Sequence, residues 1–380
     1  MATDNNNKVL NVPNLRFPEF TEEWELHRTT DYFEFKNGLN PEAKRLGHGT
    51  KFISVMDILN NRYITYDKVI SSVQLKENEL NEFGVNYGDI LFQRSSETLE
   101  DVGRANVYLD NTTAVFGGFV IRGKKIGNYN PLFFRYLLSS PNARKSIIVK
   151  GAGAQHFNIS QDGLSKVLLN VPSIQEQEKI SQLINYIDER IETQNKIIEQ
   201  LQSLIKGIVV SITAETPNTR IDKCLVCHST TLQENQIEDF GDFPVYGANG
   251  ICGYTVNADF NEPAILIVKD GSGVGNVRFV NGKYSVIGTQ NILTPQNKFC
   301  LKYIFYCLQT FNFMPYKTGM AIPHIYFKDY GKAKIYCPNF EQQVKIASQI
   351  DLIESKIEIE TQLLNKYEEQ KKFLLSNMFI

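Results

Sequence analysis

Apolar residues recur at alternating steps of three and four along two long stretches of the chain. The first series consists of Ile180, Ile184, Ile187, Ile191, Ile198, Leu201, Ile205 and Ile208. The second series consists of Ile346, Ile350, Ile353, Ile357, Leu364, Tyr367 and Leu374. This spacing is typical of a heptad seam, and it predicts two long helices with one apolar stripe each. A helix of about 35 residues would be roughly 50 Å long.

The two predicted helices are copies of one another. The segment VPSIQEQEKISQLINYIDERIE, which begins at Val171, aligns without gaps with CPNFEQQVKIASQIDLIESKIE, which begins at Cys337. The offset is 166 residues, and a proline near the start of each copy suits a first helical turn. The preceding regions also correspond, because YGDILFQRSS and NEPAILIVKDGSG each read as an apolar strand followed by a polar loop. The chain is therefore predicted to be a tandem repeat.

The repeat predicts a mixed α/β fold with two similar globular domains, each followed by a long helix. We expect a short N-terminal extension at residues 1–20 and a first domain at 21–160, followed by a helix at 161–215. A second domain at 216–326 and a second helix at 327–380 complete the chain. The two helices are predicted to pair as an antiparallel coiled coil, which would relate the two domains by a pseudo-twofold axis.

One polar residue interrupts each seam near its middle. Gln194 and Glu360 are equivalent at the offset of 166, and in an antiparallel pair the midpoints of the helices would face each other. A buried polar pair could fix the register of the coil, whereas a local break in the coil would leave both residues in solvent. The predicted interface residues are Ile184, Ile187, Ile191, Gln194, Ile198, Leu201, Ile350, Ile353, Ile357, Glu360, Leu364 and Tyr367.

Length and composition agree with two sizeable cores. The chain has 380 residues, of which 42% are hydrophobic, and its net charge is -2. The polar start MATDNNNKVL lacks the features of a signal peptide, and no apolar run approaches the length of a membrane-spanning helix, so we expect a cytoplasmic protein without a membrane partner. The two helices carry about -4 together, which leaves the globular domains near +2.

The pattern CLVCH at Cys224–His228 could attach a haem, bind zinc or form a thiol redox pair. At an offset of 192, however, TTDYFEFKNGL lies opposite IDKCLVCHSTT, so that Tyr32 meets Cys224 and Phe35 meets Cys227. Aromatic residues share with free cysteine a tendency to be buried, and they cannot replace it as ligands. The motif is therefore predicted to open the second domain, with its thiols facing the core and no metal bound.

Other candidate motifs are weak. Gly271, Gly273 and Gly275 follow an apolar strand, but a second strand stands where a nucleotide site needs a helix N-terminus. A glycine hairpin that approaches a ligand or DNA explains them better. The stretch NPLF at Asn130–Phe133 resembles a methyltransferase signature without its second proline and is interpreted as a coincidence. No established catalytic motif is found, so no catalytic residue is predicted.

Five features together resemble the specificity subunit of type I restriction-modification systems. They are VPNLRFPEFTEEWE near the start, FPVYGANGICGYT at Phe243–Thr255, GAGAQHFNIS at Gly151–Ser160, and the helix starts PSIQEQEKI and PNFEQQVKI. The resemblance covers essentially the whole chain. The second helix start has Glu and Gln inverted relative to the first, which is a minor departure.

The resemblance implies that each domain reads one half of a split double-stranded DNA target, while the paired helices act as a ruler for the unread spacer. It further implies two modification subunits, which methylate adenine N6 with S-adenosylmethionine, and restriction subunits that use ATP and Mg²⁺. The chain itself would bind no cofactor and perform no chemistry.

Basic and polar loop residues are the candidate DNA contacts, because Arg reads guanine, Asn reads adenine and Lys neutralises phosphate. In the first domain they are Lys44, Arg45, Lys51, Arg94, Ser95 and Arg104. In the second domain they are Tyr246, Asn249, Lys269, Ser272, Arg278, Lys317 and His324. Two other classes of function remain open: a coiled-coil scaffold that recruits partners without reading DNA sequence, and a haem or zinc redox protein built on Cys224 and Cys227.

Overall fold

A computed structural model describes residues 10–153, 156–237, 240–296, 298–319 and 322–380. The chain divides into two compact units. The first consists of Met1–Asn195 together with Leu363–Ile380, and the second of Lys196–Gln362. Each unit thus contains one globular domain, a part of the first long helix and a part of the second.

The first domain alternates short strands and helices and leads into the first long helix. The strands are β1 (Glu25–Arg28), β2 (Phe33–Asn37), β3 (Leu46–Ile53), β4 (Ser72–Val73), β5 (Gly84–Val85), β6 (Ile90–Gln93), β7 (Ser95–Ser96), β8 (Ala105–Val107), β9 (Ala114–Phe116), β10 (Val120–Lys125), β11 (Phe157–Asn158) and β12 (Leu168–Val171). The helices are α1 (Val55–Asn60), α2 (Glu79–Phe83), α3 (Pro131–Ser139), α4 (Pro141–Ile148), α5 (Gln161–Ser165) and α6 (Ile174–Thr213).

The second domain follows the same plan and leads into the second long helix. Its strands are β13 (Thr219–Arg220), β14 (Leu225–His228), β15 (Phe243–Gly247), β16 (Gly250–Thr255), β17 (Ala264–Val268), β18 (Val277–Val280), β19 (Ser285–Val286), β20 (Gln290–Pro295) and β21 (Lys334–Ile335). Its helices are α7 (Ile221–Cys224), α8 (Leu301–Gln309), α9 (Phe327–Tyr330) and α10 (Phe340–Asn377).

Both domains are built on the same four-stranded antiparallel sheet. Its strand order is β2-β10-β6-β8 in the first domain and β14-β20-β17-β18 in the second. A further sheet, β4-β3-β9-β5 or β16-β15-β19, accompanies it in the respective domain. The predicted mixed α/β fold with two similar domains, each followed by a long helix, is confirmed.

One inner strand of each main sheet, β6 or β17, has residues in apolar cores on both of its faces. In β6, Ile90 and Phe92 join one apolar core while Leu91 joins a second core. In β17, Ile265 belongs to one core and Leu266 to another in the same way. Alternate residues of a strand point to opposite faces, so each main sheet separates two cores.

Matching backbone hydrogen bonds confirm the alignment at an offset of 192. Thr29 N donates to Val167 O at 3.1 Å, and Ile221 N donates to Ala333 O at 3.0 Å. The donors differ by 192 positions and the acceptors by 166, as the two predicted alignments require. Cys224 accordingly lies in the second core with no measurable exposure.

One buried glutamine at the start of each long helix joins that helix to its domain. Asn130 N donates to Gln177 Oε1 at 3.0 Å, and Gln177 Nε2 donates to Pro172 O at 2.9 Å. The second copy repeats both bonds, at 3.0 and 2.8 Å, with Cys300, Gln343 and Pro338. Because buried polar groups need partners, the shared Gln of the two helix starts has a structural role.

A tyrosine of the preceding helix also binds a carboxylate of each long helix. Tyr136 Oη donates to Asp188 Oδ2 at 2.8 Å, and Lys371 Nζ lies 2.6 Å from Asp188 Oδ1. In the second unit Tyr306 Oη lies 2.8 Å from both Asp351 Oδ1 and Glu354 Oε2. Asp188 is buried, whereas both carboxylates of the second unit are more than 40% exposed.

Every residue of the predicted helix interface is buried or half-buried. In the first unit, Ile184 and Ile187 of α6 share a core with Leu374 of α10. In the second unit, Ile350 of α10 shares a core with Val209 of α6. Gln194 and Glu360 are each buried, at 5% and 7% exposure, which removes the solvent-facing alternative. That these two side chains face each other and fix the register stays a prediction.

The last residues of the chain complete the first core. Phe379 is 2% exposed, and its ring centroid lies 6.3 Å from that of Trp24 and 5.5 Å from that of Phe133. Leu15 N donates to Asn377 O at 2.9 Å. The first unit therefore needs both ends of the described chain.

Candidate nucleic-acid interface

The basic residue Arg94 directly follows β6, an inner strand of the main sheet in the first domain. Arg94 N donates to Phe119 O at 2.9 Å, and Ile159 N donates to Arg94 O at 2.9 Å, so both neighbouring loops bond to its backbone. The guanidinium Nη1 lies 3.3 Å from Gly118 O. Next to it, the Ser95 hydroxyl bonds to the Asn158 side chain. Arg94 and Ser95 are half-buried and Asn158 is exposed, so a cation, a hydroxyl and an amide are presented at one edge of the sheet.

The second domain has a basic residue at the equivalent position. Lys269 N donates to Thr289 O at 2.9 Å, and Ile325 N donates to Lys269 O at 2.9 Å. The residue before each cation also forms a matching pair, since Gly103 N donates to Gln93 O and Gly275 N to Val268 O. Three corresponding backbone hydrogen bonds therefore make Lys269 the structural counterpart of Arg94, although the two loops differ in length.

Three more of the predicted contacts belong to the loops around Lys269. His324 pairs with Thr318 through two backbone hydrogen bonds of 2.8 and 2.9 Å and forms a further bridge with Asp270. Its imidazole lies 5.0 Å from the ring of Tyr326. Ser272 is exposed in the adjacent glycine loop, which is tied to this segment because Gly271 N donates to Pro323 O at 3.0 Å. Lys317 precedes Thr318 and is exposed.

Asn158 and His324 occupy equivalent places in the two domains. Asn158 pairs with Ala152 and with Ser95, just as His324 pairs with Thr318 and with Asp270. The groups next to the cation therefore differ: a hydroxyl and an amide in the first domain, a carboxylate and an imidazole in the second. Neither Asn158 nor Asp270 was among the residues predicted from sequence. The offset of 166 between Asn158 and His324 was the signal that could have found the first.

Arg278, Tyr246 and Asn249 form a separate group on the second domain. The Arg278 guanidinium lies 5.9 Å from the centre of the Tyr246 ring, within the range of a cation–π contact. Asn249 is exposed in the turn before Gly250, whose φ of +128° strongly favours glycine. This turn brings backbone close to Arg278, because a Cβ on Gly250 would lie 3.5 Å from Arg278 Nη2.

The predicted contacts on the other sheet of the first domain do not join Arg94. Arg45 is only 7% exposed, its Nε donates to Gln74 O at 2.9 Å, and it forms an ion pair with Glu79. This guanidinium is engaged inside the domain, so we withdraw Arg45 as a DNA contact. Lys44 is exposed but lies 2.7 Å from Glu42, and Lys51 is half-buried in β3.

Arg104 also lies apart from Arg94, at the far end of the same loop. It is exposed and forms an ion pair of 2.7 Å with Asp101. Its guanidinium lines a cavity together with Arg135 and Arg144 rather than the surface around Arg94.

Sequence reasoning missed Phe119, because AVFGGFVI reads as a single buried strand. The structure breaks this stretch at two glycines and leaves Phe119 69% exposed beside Arg94. The glycines are needed there, since a Cβ on Gly118 would lie 1.9 Å from Asn40 Oδ1. The counterpart of Phe119 in the second domain is Thr289, so the two candidate surfaces differ in polarity as well.

The CLVCH segment does not gather its side chains into one site. Cys224 lies in the core, 3.8 Å from Cys337 Sγ, and this neighbour and burial raise the pKa of the Cys224 thiol. Burial also raises the pKa of Cys227 to about 11. His228 turns away and its Nε2 lies 2.8 Å from Thr294 Oγ1. Within the described ranges, no group of three or more His, Cys, Asp or Glu side chains could hold a metal ion.

Two further motifs have structural explanations. A strand, β18, follows the glycine loop, so this loop offers no helix N-terminus to a nucleotide phosphate. Asn130 caps α3, because its Oδ1 accepts a hydrogen bond of 2.9 Å from Phe133 N, and Pro131 occupies the first helical turn.

Within the part of the chain that the structure describes, no helix is long and apolar enough to cross a membrane.

Comparisons with known proteins identify related chains. The family model for the type I restriction modification DNA specificity domain matches residues 21–203 and 225–369. The protein named as the MjaX type I restriction enzyme specificity subunit of Methanocaldococcus jannaschii is 22% identical over 97% of this chain and 96% of its own length. The EcoKI specificity subunit of Escherichia coli is 26% identical over 46% of this chain and 39% of its own length.

The fold is shared with solved structures. A type I restriction-modification S subunit from M. genitalium superposes with a TM-score of 0.63 at 16% identity, over 97% of this chain and 99% of that one. A second structure, from work on assembly of a type I system, gives a TM-score of 0.57 at 12% identity over 93% and 96% of the two chains.

Proposed function

Because the chain belongs to the type I restriction-modification DNA specificity family and has two target-recognition domains, we propose that each domain reads one half of a bipartite double-stranded DNA target. The equivalence of Arg94 and Lys269 carries this proposal, since both domains hold a cation at the same backbone position. Two duplicated domains that each bind one half-site would place their DNA contacts at equivalent positions, as the two subunits of a dimeric repressor do.

The different neighbours of the two cations support different half-sites. Arg94 can contact guanine bidentately, and Asn158 beside it offers the amide that suits adenine. Lys269 carries a point charge suited to phosphate, and Asp270 beside it offers an acceptor for the amino group of cytosine. The exposed Phe119 adds an apolar contact to the first surface alone. These residues refine the predicted set, in which Lys44, Lys51, Ser95, Arg104, Tyr246, Asn249, Ser272, Arg278, Lys317 and His324 remain candidates.

The first test is substitution of the two equivalent cations in the chain assembled with its modification subunits. We expect Arg94→Gln to weaken binding of the cognate target by about 1–3 kcal/mol and to relax the sequence requirement in one half-site. We expect Lys269→Gln to weaken binding to all sequences and to lower the salt dependence by about one phosphate. Mapping of methylated adenines across a genome and equilibrium DNA binding would measure both effects.

Lys124→Gln is the matched control, because it removes one exposed positive charge from β10 of the first domain. It should leave the methylated motif unchanged. If all three variants methylated the same motif with unchanged affinity, recognition by these loops would be refuted. Sequence-independent DNA binding by the wild-type complex would instead favour the scaffold hypothesis.

We further propose that this chain is non-catalytic, binds no cofactor and acts with partner subunits in the cytoplasm. Two modification subunits would supply S-adenosylmethionine-dependent methylation, and restriction subunits would supply ATP- and Mg²⁺-dependent activity. The family membership and the heptad seams of α6 and α10 support this proposal, because long helices with exposed polar faces offer docking surfaces to partners.

The paired long helices are proposed to set the spacer between the two half-sites. Inserting one heptad after Asn195 and one after the equivalent Thr361 would lengthen both helices by about 10 Å while keeping the seams in register. We expect the spacer of the methylated motif to grow by about three base pairs, at roughly 3.4 Å per base pair. A seven-residue Gly/Ser insertion between Ala214 and Asn218 lengthens only a loop and should leave the spacer unchanged. An unchanged spacer in the heptad variant would contradict the proposal.

A further inference from the structure

A cavity of about 420 Å³ in the first domain is lined by three arginines, Arg104, Arg135 and Arg144. Residues of α1, α3 and α4 form its walls, with Ile58 and Leu138 among the apolar ones. Its volume lies in the range typical of small-molecule sites. Its lining residues differ from those around Arg94, and they do not include Gln177 or Gln343, which join the long helices to their domains.

Arg135 is the residue that most needs an explanation. It lies in the largely apolar helix α3, and its Nε is buried without a hydrogen-bond partner among the described residues. The ring of Tyr136, 5.1 Å from Arg135 Cζ, is its close neighbour. The carboxylate with the main influence on it, Asp188, is already bound to Tyr136 and Lys371. A buried N–H without an acceptor is costly, and the burial of this half-exposed side chain lowers the pKa of Arg135.

The other two arginines concentrate positive charge in the same place. Arg144 donates to the backbone oxygens of Gly103, Glu100 and Val102 at 2.9, 2.9 and 2.6 Å, which fixes its guanidinium at the cavity wall. Burial, together with the nearby cation of Arg104, lowers the pKa of Arg144 to about 10. Two acidic residues lie close by: Asp101 pairs with Arg104, and Glu100 lines the cavity. The cavity lining thus contains three guanidinium groups and one carboxylate, that of Glu100.

The second domain shows that the fold does not require an arginine at the position of Arg135. The helices α3 and α8 align through the residues that directly precede them, Asn130 and Cys300, so the counterpart of Arg135 is Phe305. Phe305 is 7% exposed and packs against Phe279, with ring centroids 5.6 Å apart. An apolar residue therefore satisfies the packing at this position, and packing alone does not explain the arginine.

We propose that this cavity binds a phosphate group, with Arg135 and Arg104 as its direct ligands and Arg144 as a fixed neighbouring charge. Guanidinium groups present paired N–H donors that match phosphate oxygens, and a doubly charged oxyanion balances the excess of cations better than one carboxylate does. The cavity exceeds the size of the bare ion, which leaves room for the group that carries the phosphate. The inference does not depend on DNA reading by Arg94 or Lys269.

The first experiment measures thermal unfolding of the full chain with and without inorganic phosphate, followed by the fluorescence of Trp24. This single tryptophan is buried in the first unit and reports on it directly. We expect a hundredfold excess of phosphate over its Kd to raise the Tm of the wild type by roughly 5–10 °C. Arg135→Met should abolish that rise. In phosphate-free buffer it should have a higher Tm than the wild type, because it removes a partly buried charge whose Nε has no acceptor.

Arg190→Met is the matched control, because it removes an exposed arginine of α6 outside the cavity. It should respond to phosphate as the wild type does. Equal responses of the wild type and Arg135→Met would overturn the proposal, as would a wild type that phosphate does not stabilise and whose DNA binding Arg135→Met does not change.

A second experiment separates the two sources of such a phosphate. If the DNA backbone supplies it, Arg135→Met should reduce the slope of log Kobs against log salt by about 0.9, with the methylated motif unchanged. If a free phosphate compound supplies it, the slope should stay constant while stabilisation by inorganic phosphate is lost. An Arg135→Met defect confined to assembly with the modification subunits would show that a protein carboxylate fills the cavity, and would refute a phosphate site.

Discussion

Asp188→Ala is expected to lower the free energy of unfolding of the first unit by about 3 kcal/mol, whereas Glu354→Ala should change that of the second unit by less than about 1 kcal/mol. The two carboxylates occupy equivalent positions at the offset of 166, so the comparison holds the fold constant.

The difference follows from burial and from the number of acceptors. Asp188 is 5% exposed, and it is the one carboxylate that accepts a hydrogen bond from the Tyr136 hydroxyl. It also forms an ion pair with Lys371. Its loss leaves a buried hydroxyl without an acceptor and a cation, itself only a quarter exposed, without its partner. Glu354 is 41% exposed and shares the Tyr306 hydroxyl with Asp351, which would remain after the substitution.

Denaturant unfolding followed by Trp24 fluorescence would measure the effect on the first unit. Hydrogen exchange resolved by peptide would measure both units in the same sample. Asp188→Asn keeps an acceptor for Tyr136 and should recover part of the loss. Equal destabilisation by Asp188→Ala and Glu354→Ala would show that the two carboxylates contribute alike, contrary to the structure.

Phe379→Ala is expected to destabilise the first unit by about 3–5 kcal/mol, the range for removal of a buried aromatic side chain. The ring packs against Trp24 and Phe133 and is 2% exposed. Because the residue lies next to the end of the described chain, this expectation runs against the usual tolerance of terminal residues.

Phe373→Ala provides the control, since Phe373 lies six positions earlier and is 58% exposed. It should change stability by less than about 0.5 kcal/mol. Phe379→Ala should also shift the emission of Trp24 towards that of an exposed indole as the core loosens. Protection of β17 from hydrogen exchange should be unchanged, because that strand belongs to the second unit. If Phe379→Ala behaved like Phe373→Ala, the C-terminal residues would not belong to the core.

The duplicated framework could be predicted from sequence because its residues act through regular periodicity. The isoleucines of the two seams recur at heptad spacing, and burial follows that spacing along both helices. The alignment of Tyr32 with Cys224 was equally informative, because a buried position accepts an aromatic ring or a thiol. At such positions the side chain must be apolar and of a suitable volume, and the residue type alone indicates both properties.

Charged residues could not be assigned in the same way. Arg45 stands in a basic stretch that reads as an exposed cluster, yet it pairs with Glu79, 34 positions later. Nothing in the local pattern around Arg45 indicates that partner. Arg135, in contrast, stands out in the sequence, because an arginine within the apolar stretch PLFFRYLL is unusual. The helix sequence alone does not indicate that Arg104 and Arg144 lie near it.

The equivalence of Arg94 and Lys269 could also not be predicted from the sequence. The loop from Arg94 to Gly103 is longer than that from Lys269 to Gly275, so no single offset aligns both ends. Backbone hydrogen bonds define the correspondence, and these do not depend on side-chain identity. Both residues were predicted as contacts, but their shared position emerges only from the fold.

The division of the chain into a continuous second unit and a discontinuous first unit has a consequence for protein synthesis. The second unit is complete once Gln362 has been added, whereas the first waits for Phe379 although most of it is made earlier. At about 5–20 residues per second, roughly ten to forty seconds separate the synthesis of Asn195 from that of Phe379. During that interval Trp24 and Phe133 lack the Phe379 ring that packs on them, so we expect the amino-terminal domain to depend more on chaperones than the second domain does.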